Sequence, residues 1–457
     1  MVRRSVTAEY LVLKVLLLMQ ALKIAVIGSG ISGLSAAWLL SQRHDVTLIE
    51  ADARIGGHSH TVECSVEDGA VAVDTGFIVY NDMTYPNLSA LFDYLSVPTA
   101  KSNMGFGVSL HGGDYEYSGE GVFQLLGHAR NVANLSHWRM IAGLTRFFRT
   151  AGQLAEQVGE EVSLAEFLRT QNYSSDFVNL HLLPVAAAIW SSEPKQMLDY
   201  PARAFLRFFE NHGLLNFVNR PQWRTVEGGS REYVKRLLED GRMRVLKNVA
   251  VREIDRTGVG VRVYGNNGFD ECFDSVVIAT HADAALAMLA APSAAEFDLL
   301  ATFKYSRNTA TLHRDESFMP KRKRLWSSWN YVSEGDVKSN QPSVTYWMNA
   351  LQPLQTKTNL FVSINARSAP ADGLIEREIH YTHPIFTTQT RRAQQHLWAL
   401  QGQNKTWFCG AHFGAGFHED GLQAGLAVAE QLGGGLRPWT VTKHSERIFI
   451  SNFEAAE

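Results

Sequence analysis

The stretch that most limits what this chain can fold into is an early glycine turn, in which Gly28, Gly30 and Gly33 have G-x-G-x-x-G spacing. Before it, Leu22 to Ile27 is an almost continuous apolar run rich in β-branched residues, as expected of a parallel strand covered on both faces. After it, Leu34, Ala37, Trp38 and Leu40 fall on one helical face. The three glycines do different things. Gly28 turns the chain tightly, Gly30 lets a phosphate approach the backbone, and Gly33 lets the helix pack on the sheet. His44 to Ile49 reads as a second strand ending at Glu50, about twenty residues past the glycines, where an acid accepts hydrogen bonds from ribose hydroxyls. A glycine turn alone is an ordinary loop. Strand, turn, helix and acid in register predict a dinucleotide site, with the free amides of Ile31, Ser32 and Gly33 and the helix dipole on the pyrophosphate.

With 457 residues the chain exceeds one simple core, so two domains, interleaved in sequence, are expected. Hydrophobic residues at 45% against charged residues at 19% exclude a largely disordered or coiled-coil chain. A net charge of -3 provides no general basic field, so no nucleic-acid partner is expected. Cys64, Cys272 and Cys409 are odd in number and lack C-x-x-C spacing, which supports neither a disulfide framework nor a metal site and fits a reducing cytoplasm. Arg3 and Arg4 precede short apolar runs that imitate a secretion signal, but Lys14 interrupts them, and Met19 offers a second start. Residues 1–19 are therefore expected to lie outside the fold, with a membrane-touching amphipathic helix as the alternative.

The residues after Glu50 narrow the reading. Ala51, Arg54, Gly56, Gly57 and His58 form a segment that resembles the extended fingerprint of the amine oxidase, protoporphyrinogen oxidase and phytoene desaturase superfamily, in which R-x-G-G-R follows the second strand. That resemblance implies FAD. His58 stands where the family has its last Arg, and His60 follows, so the charge offered to the cofactor is weaker or depends on protonation. Asp74 to Phe77 lies where family members approach the flavin ring, which implicates Gly76 and Phe77. Near the other end, Thr406 to Gly410 reads as a strand ending in glycine, and Leu422, Leu426, Ala429 and Leu432 as an amphipathic helix starting about Gly421. The resemblance assigns Gly410 to the phosphate and ribityl region and Gly421 and Leu422 to the pyrimidine edge of the flavin. Ala411 replaces an acid usual in the family.

Two middle segments complete the resemblance. Val245 to Ile254 with Val261 to Tyr264 reads as the strands that touch adenine, through the Val251 backbone, and Ser275 to His281 as a strand returning to the sheet. The expected fold is α/β: a Rossmann-like FAD domain with a parallel sheet and a β-meander, interleaved with an α+β substrate domain. The FAD domain is drawn from 20–95, 224–295 and 402–440, the substrate domain from 96–223 and 296–401, and 441–457 is a tail. A second complete G-x-G-x-x-G is lacking, so reduced flavin is expected to pass electrons to dioxygen or another acceptor.

No Ser/His/Asp set or obvious general base emerges, and hydride transfer to a flavin leaves little trace of catalysis in a sequence. His281, His412 and His418 could move protons or merely hold structure. Aromatic stretches around Trp190, Phe205 and Trp347 are core-like, with Trp190 and Trp347 as candidate pocket walls. The runs 56–60, 73–81, 223–230 and 408–421 together resemble a narrower group of NAD/FAD-binding flavoproteins associated with cyclopropane fatty acid synthases. That resemblance implies oxidation or desaturation of a methylated, unsaturated or cyclopropane acyl chain, on a phospholipid. Lys321, Arg322, Lys323 and Arg324 beside Trp326 and Trp329 then offer a contact to the inner membrane face, or a solvated loop. The alternatives are a small-amine oxidase and a noncatalytic flavoprotein partner of a neighbouring lipid methyltransferase.

Overall fold

A computed structural model of the chain describes residues 21–190, 193–211, 215, 221–334, 343–366, 368–442 and 444–450. The expected extension at 1–19 and the last residues of the tail lie outside these. The chain divides into two compact units, one from 1–57, 234–301 and 396–457, the other from 58–233 and 302–395. Both are mixed α/β, and both are discontinuous in sequence.

In the first unit, five parallel strands lie in the order Arg244–Leu246, Asp45–Ile49, Lys23–Ile27, Ser275–Ile278, Thr406–Phe408. Ile24, Ala25, Val26, Val276 and Val277 are fully buried. Covering on both faces is why these strands read as unbroken apolar runs, each large side chain adding about 1.5–3 kcal/mol of burial. Ile31–Leu40, buried along its whole length, and His418–Gln431 pack against each other. A three-stranded antiparallel meander, Val251–Asp255, Val261–Gly265 and Asp270–Phe273, completes the unit. The run from Val245 to Ile254 is thus two strands in two sheets. The break falls at Asn248, whose φ of 61° is a left-handed conformation that asparagine tolerates. Arg256, nearly buried, locks the meander to the helix Ala294–Leu300 through Glu296, at 2.5 and 3.0 Å.

The second unit is built on a seven-stranded mixed sheet in the order 375–385, 304–313, 361–364, 343–347, 329–332, 106–110, 115–118, antiparallel throughout except where Trp329–Val332 runs parallel to Phe106–Leu110. Residues 58–95 belong to this unit rather than to the first: Thr61–Val66 pairs with Gly69–Asp74, and Tyr80–Asn81 with Trp223–Val226. Helix Leu135–Gln157 turns Met140, Leu144, Phe147 and Ala151 inward.

Candidate cofactor site

Four glycines shape the site in the first unit, and they differ in what surrounds them. Gly28, at φ 97°, donates its N–H to Ile49 O at 2.9 Å, and a Cβ there would come within 3.0 Å of Ala279 O. At Gly33 a Cβ would lie 1.9 Å from Gly28 O, so only glycine lets this helix sit on the turn. Gly57, at φ 57°, packs on the same loop, its absent Cβ 2.9 Å from Gly30 Cα. Gly30 is the exception, because a Cβ on it would meet nothing within 4 Å. Gly30 also caps the helix Ile31–Leu40 without a side-chain hydrogen bond, and no acid stands in the first turn. A helix start that is buried, uncapped by a side chain and open in front of its N-cap residue fits an anionic diphosphate held by the amides of Ile31, Ser32 and Gly33.

Ser29 ties the loop to the acid that follows the second strand. Its N–H and Oγ both donate to Glu50 Oε2, at 2.9 and 2.5 Å, Asp52 N–H donates to Oε1 at 2.9 Å, and Gly56 N–H donates to Ser29 Oγ at 3.1 Å. Glu50 is therefore held rigidly at the loop edge, where a ribose diol would meet it. Ala51 is exposed beside it, and Arg54 folds back, donating to Gly57 O at 2.7 Å. Val249 N–H bonds Glu50 O, placing the start of the meander next to the acid, and Val251 follows half-buried, opposite Gly265 at a register shift.

At the far end the helix starts earlier than the apolar spacing indicated. It runs from His418, so Gly421 N–H is already bonded to Phe417 O at 3.1 Å and the first turn is made by residues 418–420. The true first turn carries Glu419 and Asp420. Asp420 accepts from Phe417 N–H at 2.7 Å and pairs with Arg447 at 2.7 Å. Gly421 and Leu422 face inward: Leu422 is fully buried, and a Cβ on Gly421 would meet Ser32 Oγ at 2.7 Å. Gly425, one turn on, approaches closer still, its absent Cβ 2.2 Å from Ser32 O. Gly410 lies against His412, whose Nδ1 would be 2.5 Å from a Cβ there. Burial pushes His412 down to about 3, with His281 adding to the effect, and also lowers His281 and takes His418 to about 3. Burial thus favours the neutral imidazole at all three, which disfavours a role as imidazolium acids.

In the second unit His58 stacks on Tyr381, ring centroids 5.0 Å apart, with His383 at 5.2 Å. Tyr381 Oη is 2.9 Å from Thr75 Oγ1 and 3.2 Å from His60 Nδ1. Phe77 N–H donates to His58 O at 2.8 Å, and Gly76 is pressed on the same carbonyl, its absent Cβ 2.1 Å away. The sequence-derived residues His58, Gly76 and Phe77 are therefore one cluster. Asp74 beneath them is fully buried, accepting from Thr61 Oγ1, Ser230 N–H and Oγ, and Gln352 Nε2 at 2.6–3.0 Å, and burial pushes its carboxyl up to about 6. Trp190 and Trp347 sit in separate clusters. Trp190 packs on Tyr200, Phe205 and Phe208; Trp347 meets Trp326 edge-on and donates to Asn359. A cavity of about 550 Å³ in this unit is polar, lined among others by Glu193, Asn308, Thr309, Asn365 and Glu378.

Ser29, Gly425 and Tyr381 escaped the sequence reading. Ser29 sat in plain view inside the glycine turn, and Gly425 is one turn from Gly421 on the same helical face. Tyr381 had no signal, because its partners lie about three hundred residues away. Among the described residues no group of three or more His, Cys, Asp or Glu could hold a metal, and no helix is long and apolar enough to cross a membrane.

A parallel sheet with a glycine cradle at its leading helix is the architecture of a dinucleotide-binding unit. Residues 31–323 match the family model described as flavin containing amine oxidoreductase. The chain belongs to that family of FAD-dependent oxidoreductases, and FAD is its cofactor. A Mycobacterium tuberculosis protein named as a flavin-containing monoamine oxidase is 28% identical over 264 residues, 54% of each chain. The chain thus spans about half the length of the curated relatives it matches. The fold is shared with a CLA-producing fatty acid isomerase from P. acnes, at TM-score 0.65 and 14% identity over 90% of this chain and 98% of that one. It is shared equally with cyclohexylamine oxidase from Brevibacterium oxydans, at TM-score 0.65 and 17% identity over 90% and 100%.

Proposed function

We propose that this chain is an FAD-dependent oxidoreductase that oxidises or desaturates a modified fatty acyl chain, methylated, unsaturated or cyclopropane-bearing, carried on a phospholipid. The observation that carries the oxidoreductase reading is the open, uncapped helix start at Gly30. When bound, FAD supplies acceptance of two electrons from a carbon–hydrogen bond. The chain's own part is to hold and exclude: the amides of residues 31–33 take the diphosphate, Glu50 the ribose, and neutral His412 adds no competing charge.

An acyl substrate is supported by the narrower resemblance carried by His58, His60 and the runs 73–81 and 408–421. That a fatty acid isomerase shares this fold is compatible with it. Histidine in place of the usual arginine leaves the segment after the second strand less cationic at neutral pH than in amine oxidases of this fold. The second reading, oxidation of a small amine, is favoured by the Mycobacterium tuberculosis relative. A noncatalytic role beside a lipid methyltransferase is the third. Anaerobic mixing of the FAD-loaded protein with cyclopropane and monounsaturated phospholipids, and separately with polyamines and aromatic amines, decides among them. Loss of the yellow absorbance with lipid alone is expected; loss with amine alone overturns the acyl reading, and no loss with either favours the noncatalytic role.

A further inference from the structure

Large apolar side chains left in water concentrate in one stretch of the second unit. On the short helix Val122–Leu126, Val122 and Phe123 are 74% and 87% exposed, and Val132, Leu135 and Trp138 just beyond are 47%, 62% and 46% exposed. Other exposed large apolar residues among those described stand singly in sequence: Met83, Tyr94, Val259, Phe297, Ile375 and Leu436. The inward face of Leu135–Gln157 is already filled by His137, Met140 and Leu144, so Leu135 and Trp138 are surplus to this unit's core. They are also held in place, since Asn134 caps that helix and the Trp138 indole donates to Val132 O at 2.8 Å.

The cluster at 321–324 borders this stretch. Arg324 donates to Gly127 O at 2.8 Å, at the end of the helix that carries Phe123, and Arg322 is committed to the buried Glu116 at 2.6 Å. Arg130 and Arg139 rise from the apolar stretch itself. Their acidic neighbours, Asp114 and Asp176, are 3.7 Å away, and Lys323 pairs with Glu316 at 2.7 Å. Exposed pairs of this kind are worth so little that an anionic surface can take over the cation.

We propose that the face from Val122 to Trp138, edged by Lys321 and Lys323, docks the protein on an anionic bilayer. Phe123 and Val122 enter the boundary between headgroups and acyl chains, Trp138 sits at headgroup depth, and Arg130, Arg139 and the lysines meet phosphates. This apolar projection with a cationic rim has the chemistry of an interfacial anchor, and it does not depend on which substrate the enzyme takes.

Sedimentation of the FAD-loaded full chain with phosphatidylcholine vesicles, with and without phosphatidylglycerol, tests it. The wild type is expected to bind the anionic vesicles and to release in high salt. Phe123→Ser with Leu135→Ser should weaken binding about tenfold or more, and Arg130→Glu with Lys321→Glu should remove the preference for phosphatidylglycerol. Phe297→Ser, an exposed phenylalanine of the other unit, should change nothing. Failure of the wild type to bind, or unchanged binding by the serine pair, overturns the proposal. So does light scattering that shows a wild-type dimer broken by the serine pair, because a second copy would then own this face. Vesicle binding needs no turnover, so a failed acyl substrate leaves the result intact.

Discussion

Replacing Gly30 by alanine separates a site built for a ligand from a turn built for the fold. Gly30 has φ -65° and ψ 175°, a region open to any residue, and a Cβ there meets nothing within 4 Å. Two small effects on stability oppose one another. Less freedom in the unfolded chain stabilises by about 0.4–1 kcal/mol, whereas alanine is a poorer N-cap than glycine by a similar amount. The net change in the apoprotein should stay within about 0.5 kcal/mol. The methyl group, however, stands where the diphosphate must approach the amides, and losing even one hydrogen bond to a charged group costs about 1.5–3 kcal/mol. FAD affinity should therefore fall roughly 10- to 150-fold. Urea melts of the apoprotein give the first number, and titration of flavin fluorescence quenching gives the second. Gly33→Ala is the contrasting variant, since its Cβ would lie 1.9 Å from a backbone oxygen and the fold itself should fail. If Gly30→Ala binds FAD as the wild type does, the space in front of this helix is not the cofactor cradle.

Three further outcomes are expected. Gly425→Ala should destabilise the first unit by about 1–3 kcal/mol, because its Cβ would lie 2.2 Å from Ser32 O and overpacking exceeds the roughly 1 kcal/mol of added helix propensity; Gly421→Ala, facing a movable serine hydroxyl, should cost less, and equal urea midpoints for the two variants would contradict this. His412, lowered from 6.5 to about 3, contributes stability that is complete above pH 6.5 and is lost as the pH falls towards 3. At pH 5 that is about 2 kcal/mol, so His412→Gln should show a smaller drop between pH 7 and pH 5 than the wild type in urea melts. Asp74 has the opposite sign: raised from 3.8 to about 6, it contributes stability that is complete below pH 3.8 and lost as the pH rises through 6, about 3 kcal/mol in all. Asp74→Asn should flatten that part of the pH profile, and an unchanged slope between pH 4 and pH 6 would show that the carboxyl ionises normally.

The cofactor cradle was legible because its parts are local. Strand, glycine turn and helix occupy consecutive residues, and Glu50 and Gly56 reach Ser29 across 21 and 27 residues. The split at Asn248 was marked only by one turn-tolerant residue inside an apolar run, and periodicity does not register which sheet a strand joins. The start of the last helix was misplaced because apolar spacing reports the buried face, whereas the first turn here is His418, Glu419 and Asp420. Asp74 and Tyr381 were illegible for a different reason. Gln352 lies 278 residues from Asp74 and Thr75 lies 306 from Tyr381, and only the folded sheet brings them together. The apolar stretch at 122–138 carries no expectation in sequence, since exposure depends on which face the rest of the unit has already filled.

The three-piece construction of the first unit has a consequence for synthesis. Ile24 lies beside Ser275, and Val276 beside Thr406, so the central strand waits for about 250 residues before one neighbour exists and the sheet waits longer for its edge. Ser32, at the mouth of the cradle, acquires its cover only when Gly425 has left the ribosome. Nascent chains therefore carry an unfinished nucleotide mouth for most of translation, and loading with FAD becomes one of the last events in the protein's maturation.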